Sequence, residues 1–454
     1  MTITTVILTA NNIILIQRTQ ISLSDNLHRR LEVVMDNLKK DITLISGIGQ
    51  LSTTLLGTGL FMIPAISAGI AGHFSLWAWI ILLIAICPIA LTFAQLGKRY
   101  PSAGGTAFFV RKAFNSNLES SVAWLFVSVI PVALPAGVTL ASGFLNELLP
   151  ESMNIPLFTQ AFVVFLLMLV NLLGTKSSGR LQTVIALSIF ALVGAFLWKG
   201  DVGPADLTMP AITIDSTWSI ATALGVMFWC FVGIEAFAHM GEEFKNPQRD
   251  FPIAIIVGCF VAGLTYWACS VVILKFGAYG SAEFDNASIP WLSAYLFGDH
   301  AKWLISVIGF SACFASVNLY TQSLARMVWA QAREHKPTSA IARVSVRGVP
   351  ANATLIVGAI LIASCVTGSL SGLDLEFFLK LANGIFVLVY LLAMLAAYKL
   401  LKGWGKVLAG FSLVLCTAVF ICLGWSMLYA VTIFAVLSLP WKQWRKKNTR
   451  RVTD

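Results

Sequence analysis

The 454 residues carry 57% hydrophobic and only 11% charged side chains, with a mean hydropathy of +0.82. Soluble domains carry about 25% charged residues, so this chain cannot cover a water-facing surface of its size, and its 34 Gly and 15 Pro show no collagen-like period. The chain reads as an all-α polytopic membrane protein, and its net charge of +10 reflects orientation in the bilayer, with no nucleic-acid partner required.

Residues 1–34 fit no standard element. The apolar run Val6–Ile16 is broken by Asn11 and Asn12, follows no basic residue and precedes no small-residue cleavage site, so it is a poor signal peptide. The expectation is a disordered or non-native extension, with Met35 as the start and Asp36–Lys40 as a short cytoplasmic lead-in. A spanning helix needs about 20 mostly apolar residues. Twelve such stretches follow, near 43–70, 74–97, 119–148, 157–174, 179–198, 217–240, 251–276, 302–332, 352–368, 375–398, 406–422 and 424–441. The basic stretch 442–454 closes the chain as a cytoplasmic tail.

Charge tests that count. With the N-terminus and every second loop inside, all Lys and Arg fall at cytoplasmic positions except Lys199, Lys275, Lys302 and Lys380. Both termini are then cytoplasmic. Lys380, inside the tenth span, is expected to snorkel outward. The eight cysteines sit in apolar runs without a Cys-x-x-Cys pair and read as small buried hydrophobes; the five histidines are scattered, so no metal site or cofactor is expected.

Two spans are interrupted. The first contains Thr53-Thr54-Leu55-Leu56-Gly57-Thr58-Gly59, and glycine carries the largest entropy penalty in a helix. The sixth contains Trp229-Cys230-Phe231-Val232-Gly233-Ile234-Glu235, a glycine followed by a carboxylate that is costly at membrane depth. Spans one and six cross in opposite directions, so paired breaks point to an inverted-repeat transporter with its substrate between them. Half-helices beginning at the breaks offer N–H groups and positive dipole ends to a carboxylate. Carbonyls near Thr53–Leu56 and Trp229–Phe231 suit an ammonium. One site taking both groups is an α-amino acid site. The substrate-binding set is therefore Thr53, Thr54, Gly57, Thr58, Gly59, Trp229, Cys230, Phe231 and Gly233, with Phe61 and Phe228 close enough to share the side-chain pocket.

These breaks, together with Tyr100-Pro101-Ser102-Ala103-Gly104-Gly105 and the stretch Gly241–Pro252, resemble the amino acid–polyamine–organocation (APC) superfamily from about Met35 to the C-terminus. The lead-in, first span and Pro-Ser-Ala-Gly-Gly loop look similar to bacterial inner-membrane exporters of methionine and branched-chain amino acids. The resemblance implies a LeuT-like fold of 12 transmembrane helices, with repeats at about 43–198 and 217–398 and two peripheral helices at 406–441. It also implies an inner-gate segment at Pro101, Ser102, Gly104 and Gly105, and a candidate ion site at Ser311 and Ser316, against the ordinary reading of helix hydroxyls back-bonded to carbonyls.

Neutral apolar L-amino acids are the expected substrates, because no basic or paired acidic side chain near the breaks would neutralise a charged one. Glu235 is expected to couple protons or hold a gate, since burial and a helix N-terminus pull its protonation in opposite directions. A pump is excluded because Gly97-Lys98 lacks the phosphate-loop pattern, and an enzyme because no nucleophile–base or metal constellation is visible. A carrier is reversible, so export rests on the resemblance alone, and a proton- or sodium-coupled amino acid or amine importer or exchanger of the same superfamily is the alternative. A channel is the alternative of a different class, separated from an exchanger by saturation and counterflow.

Overall fold

A computed structural model describes residues 38–150, 155–298, 300–371, 375–422 and 427–439. The expectations for residues 1–34, for Met35, for the tail 442–454 and for the Lys380 side chain lie outside the described residues. The chain folds into α1 Leu44–Leu56, α2 Ile63–Ala71, α3 Ser75–Arg99, α4 Gly105–Ala113, α5 Ser116–Val127 and α6 Ala133–Asn146, followed by α7 Pro156–Leu173 and α8 Thr175–Lys199. Then come α9 Ile214–Met227, α10 Ile234–Phe237, α11 Pro247–Phe276, α12 Ala282–Phe297 and α13 Ala301–His335. The last four are α14 Ala351–Ser371, α15 Leu375–Leu400, α16 Trp404–Cys422 and α17 Met427–Ser438. Among the described residues nine stretches are long and apolar enough to cross a membrane, with Leu44–Leu56 and Met427–Ser438 as shorter apolar helices.

Side-chain chemistry sorts these helices. On α7, Phe158, Phe162, Phe165, Leu169 and Leu173 recur every three to four residues on an exposed face, the stripe a peripheral helix turns to lipid. By contrast α13 is buried along most of its length. It packs against α6 and α14, and α1 lies against α8, α11 and α13. Six cysteines, Cys230, Cys259, Cys269, Cys313, Cys365 and Cys416, are buried as expected, whereas Cys87 is exposed on α3.

Two elements depart from expectation. The stretch expected as one span at 119–148 is divided into α5 and α6 by turns over 128–132. Pro131 supplies no N–H and disfavours the helical conformation of the residue before it. The connection after α11 contains a further helix, α12, whose polar residues hide it from a hydropathy reading. Arg326, one of the positives at the cytoplasmic end, is 3% exposed inside α13 and donates through both Nε and a terminal nitrogen, at 2.8 Å for the latter, to the Glu243 carboxylate. Pairing is what makes its burial tolerable.

The two ends of the bundle differ. At the basic end, the lead-in residue Ile42 pairs with the chain after span six: its N–H donates to the Glu243 carbonyl at 2.9 Å, and Lys245 N–H donates back to its carbonyl at 2.9 Å. At the other end Lys302 pairs with Glu147 at 2.7 Å and Lys275 with Asp206 at 2.8 Å. The hydrogen bond from Lys275 holds the Asp206 carboxyl below the usual carboxylate range.

Candidate functional site

Both sequence breaks are real breaks in the helices. At the end of α1, Gly57 takes φ −19° and ψ −103°, and a Cβ there would lie 2.4 Å from Ser316 Cβ, so α13 packs directly on the backbone. The chain continues as a 3-10 turn, Gly59–Phe61, and re-enters α2 with Pro64 in its first turn, where a missing N–H costs nothing. In span six, α9 gives way to a 3-10 turn, Phe228–Phe231, and then to extended Val232. Gly233 follows at φ +139°, a conformation that strains any L side chain.

The breaks lie side by side. A Cβ on Gly233 would come within 3.0 Å of Thr54, and one on Gly59 within 3.3 Å of Cys230 Sγ. Between them is a cavity of about 50 Å³, space for a few waters. Thr54, Leu55, Thr58 and Gly59 line it from the first break, and Trp229 and Val232 from the second. The remaining wall is Ala133, Leu134, Ala136, Gly137 and Leu140 of α6, Ser316, Val317 and Tyr320 of α13, and Phe386 of α15. None of these side chains is charged.

Of the residues expected to bind substrate, Thr54, Thr58, Gly59 and Trp229 line the cavity. Thr53 does not; its hydroxyl back-bonds to the Gly49 and Gln50 carbonyls at 2.9 and 3.0 Å. Gly57 faces Ser316, while Cys230 and Phe231 are buried away from the lining. Phe61 packs on Phe144 at 4.9 Å and Phe228 on Tyr390 at 6.1 Å, and neither lines the cavity. Ser316 lines the cavity and donates to the Thr54 carbonyl at 3.0 Å, whereas Ser311 stands outside the lining.

The break carbonyls are less open than expected. Thr53 O accepts Gly57 N–H, Leu55 O accepts the Tyr266 hydroxyl at 2.7 Å, and Phe231 O accepts the Tyr390 hydroxyl at 2.8 Å. Each keeps a second lone pair for a cation. The helix start in span six is also occupied. Glu235, fully buried, accepts Gly233 N–H at 2.9 Å on one oxygen and the Tyr320 hydroxyl at 2.8 Å on the other. The carboxylate therefore sits one hydrogen bond from the cavity, with Tyr320 between them.

The expected gate segment is a tight turn leading into α4. Ser102 accepts Gly104 N–H at 3.1 Å through its hydroxyl and Gly105 N–H at 3.1 Å through its carbonyl. Gly105 stands at φ +47° with its α-carbon against the His239 ring. His239 Nδ1–H donates to the Ala103 carbonyl at 3.0 Å, and its ring stacks on Phe126 at 4.8 Å. Pro101 backs onto Gly241. His239 escaped the sequence reading because a lone histidine in an apolar span carries no spacing signal. The α6 wall and Phe386 escaped it because Ala133, Leu140 and Phe386 look like any core residue.

Comparison with known proteins adds a family. A family model described as amino acid permease matches residues 42–442. The L-methionine/branched-chain amino acid exporter YjeH of Escherichia coli strain K12 is 47% identical over 406 residues, 89% of this chain and 97% of that one. An uncharacterized amino acid permease of Bacillus subtilis strain 168, YecA, is 28% identical over 424 residues, 88% and 95% of the two chains. Among solved structures, MhsT in complex with L-phenylalanine superposes with a TM-score of 0.62 at 15% identity, covering 86% of this chain and 99% of that one. That likeness bears on the fold.

Proposed function

The chain belongs to the amino acid permease family, and from that premise we propose that it is a secondary active transporter that exports methionine, leucine, isoleucine and valine across a bacterial inner membrane. The observation that carries the substrate class is the uncharged lining of the cavity between the two breaks. A substrate carboxylate is assigned to the first break, where the turn Gly59–Phe61 begins a helical stretch whose first N–H groups lie beyond the reach of helical partners, because Glu235 already fills the corresponding position in span six. The ammonium is assigned to the break carbonyls at Thr54 and Leu55, and the side chain to the wall of Ala136, Gly137, Leu140, Val317 and Phe386. An arginine or diamine would bury a second charge with no counter-charge in this lining.

Alternating access in this reading rests on twelve spans, with repeats at about 43–198 and 217–398 and both termini cytoplasmic. The cavity is small because the site is contracted, and α6 or Phe386 yields as substrate enters. Glu235 is the coupling or gating group and senses the cavity through Tyr320. Export, rather than import, follows the role of the 47% identical relative. The test is release of labelled methionine from proteoliposomes under imposed proton, sodium or voltage gradients. Gradient-dependent efflux of methionine is expected; preferential movement of arginine would overturn the reading.

A further inference from the structure

A second cavity, of about 510 Å³, lies at the basic end of the bundle, walled by Leu38, Lys40, Pro101, Glu242, Pro247 and Arg333. Its charged groups are held from different elements. Glu242 follows the inner half of span six and faces the gate turn, whose Pro101 shares the cavity wall. Lys40 sits on the lead-in, whose backbone is pinned at Ile42 by the pairing with Glu243 and Lys245 and at Lys39 by a 3.3 Å hydrogen bond to Gly348. Arg333, at the end of α13, lies over the Trp329 ring at 5.2 Å. Both cations act electrostatically on Glu242.

Two cations and one carboxylate around one cavity, with Leu38, Pro101 and Pro247 as apolar wall, match the charges of a zwitterion better than those of an anion, which Glu242 repels, or of a cation, which Lys40 and Arg333 repel. We propose that this cavity is a second, cytoplasmic binding site for a neutral zwitterionic amino acid, its carboxylate toward Lys40 and Arg333 and its ammonium on Glu242. A guanidinium carries five N–H donors and serves a ligand carboxylate while its face lies on Trp329. Because Pro101 of the gate turn walls the same cavity and backs onto Gly241, occupancy acts on the gate turn and concentrates substrate beside the route to the central cavity. The inference rests on the amino acid transport reading for the identity of its ligand.

Stoichiometry separates the two sites. Equilibrium binding of labelled L-methionine to the full chain in nanodiscs, with both faces accessible, should give two sites per wild-type chain. Glu242→Gln and Lys40→Gln should each leave one, of unchanged affinity, and L-methioninol, which lacks the carboxylate, should not displace label from the site they remove. One site in both wild type and variants overturns the proposal and leaves the central site standing. One site in wild type and none in the variants supports the vestibule and contradicts the central reading. Absence of binding throughout overturns both.

Discussion

Glu235 receives a donor on each carboxyl oxygen, Gly233 N–H and the Tyr320 hydroxyl. A glutamine there still accepts from Gly233, and Tyr320 can turn its hydroxyl to accept the new amide proton, so Glu235→Gln removes ionisation while sparing the fold. The expected outcome in proteoliposomes is methionine exchange that persists while proton-driven accumulation is lost. Wild-type rates with unchanged pH dependence would remove Glu235 from both coupling and gating. Gly59 supports a sharper steric prediction. A Cβ there would stand 2.2 Å from the Tyr266 hydroxyl oxygen, the group that binds the Leu55 carbonyl. Gly59→Ala should therefore lower methionine transport by about tenfold or more, the effect of leaving one buried polar group without its partner. Adding Tyr266→Phe, which deletes the clashing oxygen, should recover part of that loss; no recovery in the double variant would place the fault elsewhere.

At the scale of elements, the inner end of span six is fixed by the buried Glu243–Arg326 pair between that span and α13. Removing one partner of such a pair strands the other charge and costs about 3–5 kcal/mol, whereas replacing both with apolar groups is often neutral. Glu243→Met should thus sharply lower the thermal midpoint of the purified protein, and Glu243→Met with Arg326→Met should restore most of it. Equal destabilisation by the single and double variants would mean that the pair does not act as a unit. The same elements show how far the sequence could be read. The breaks in spans one and six were legible because Gly57, Gly59 and Gly233 interrupt apolar runs and an ionisable residue follows the last. The break before α6 was not, because Pro131 lies in a run apolar enough to pass as one span. The role of Arg326 was hidden for a related reason: in sequence it is one more cytoplasmic positive, and its partner lies eighty-three residues away.

For the whole molecule, composition alone gave the class, since so few charges leave only lipid as the covering for this much apolar surface. The binding chemistry was half legible. Backbone chemistry at the breaks could be anticipated from glycine, but the α6 wall and Phe386 come together only through tertiary packing, which no local pattern encodes. The central claim, a carrier whose uncharged cavity accepts neutral apolar amino acids, is tested most directly by counterflow. Proteoliposomes preloaded with unlabelled L-methionine are diluted into a trace of labelled L-methionine. A transient overshoot of label is predicted, reproduced by leucine, isoleucine or valine inside and absent with arginine or cadaverine inside. Equilibration without overshoot, or an overshoot driven by arginine or cadaverine, would contradict it.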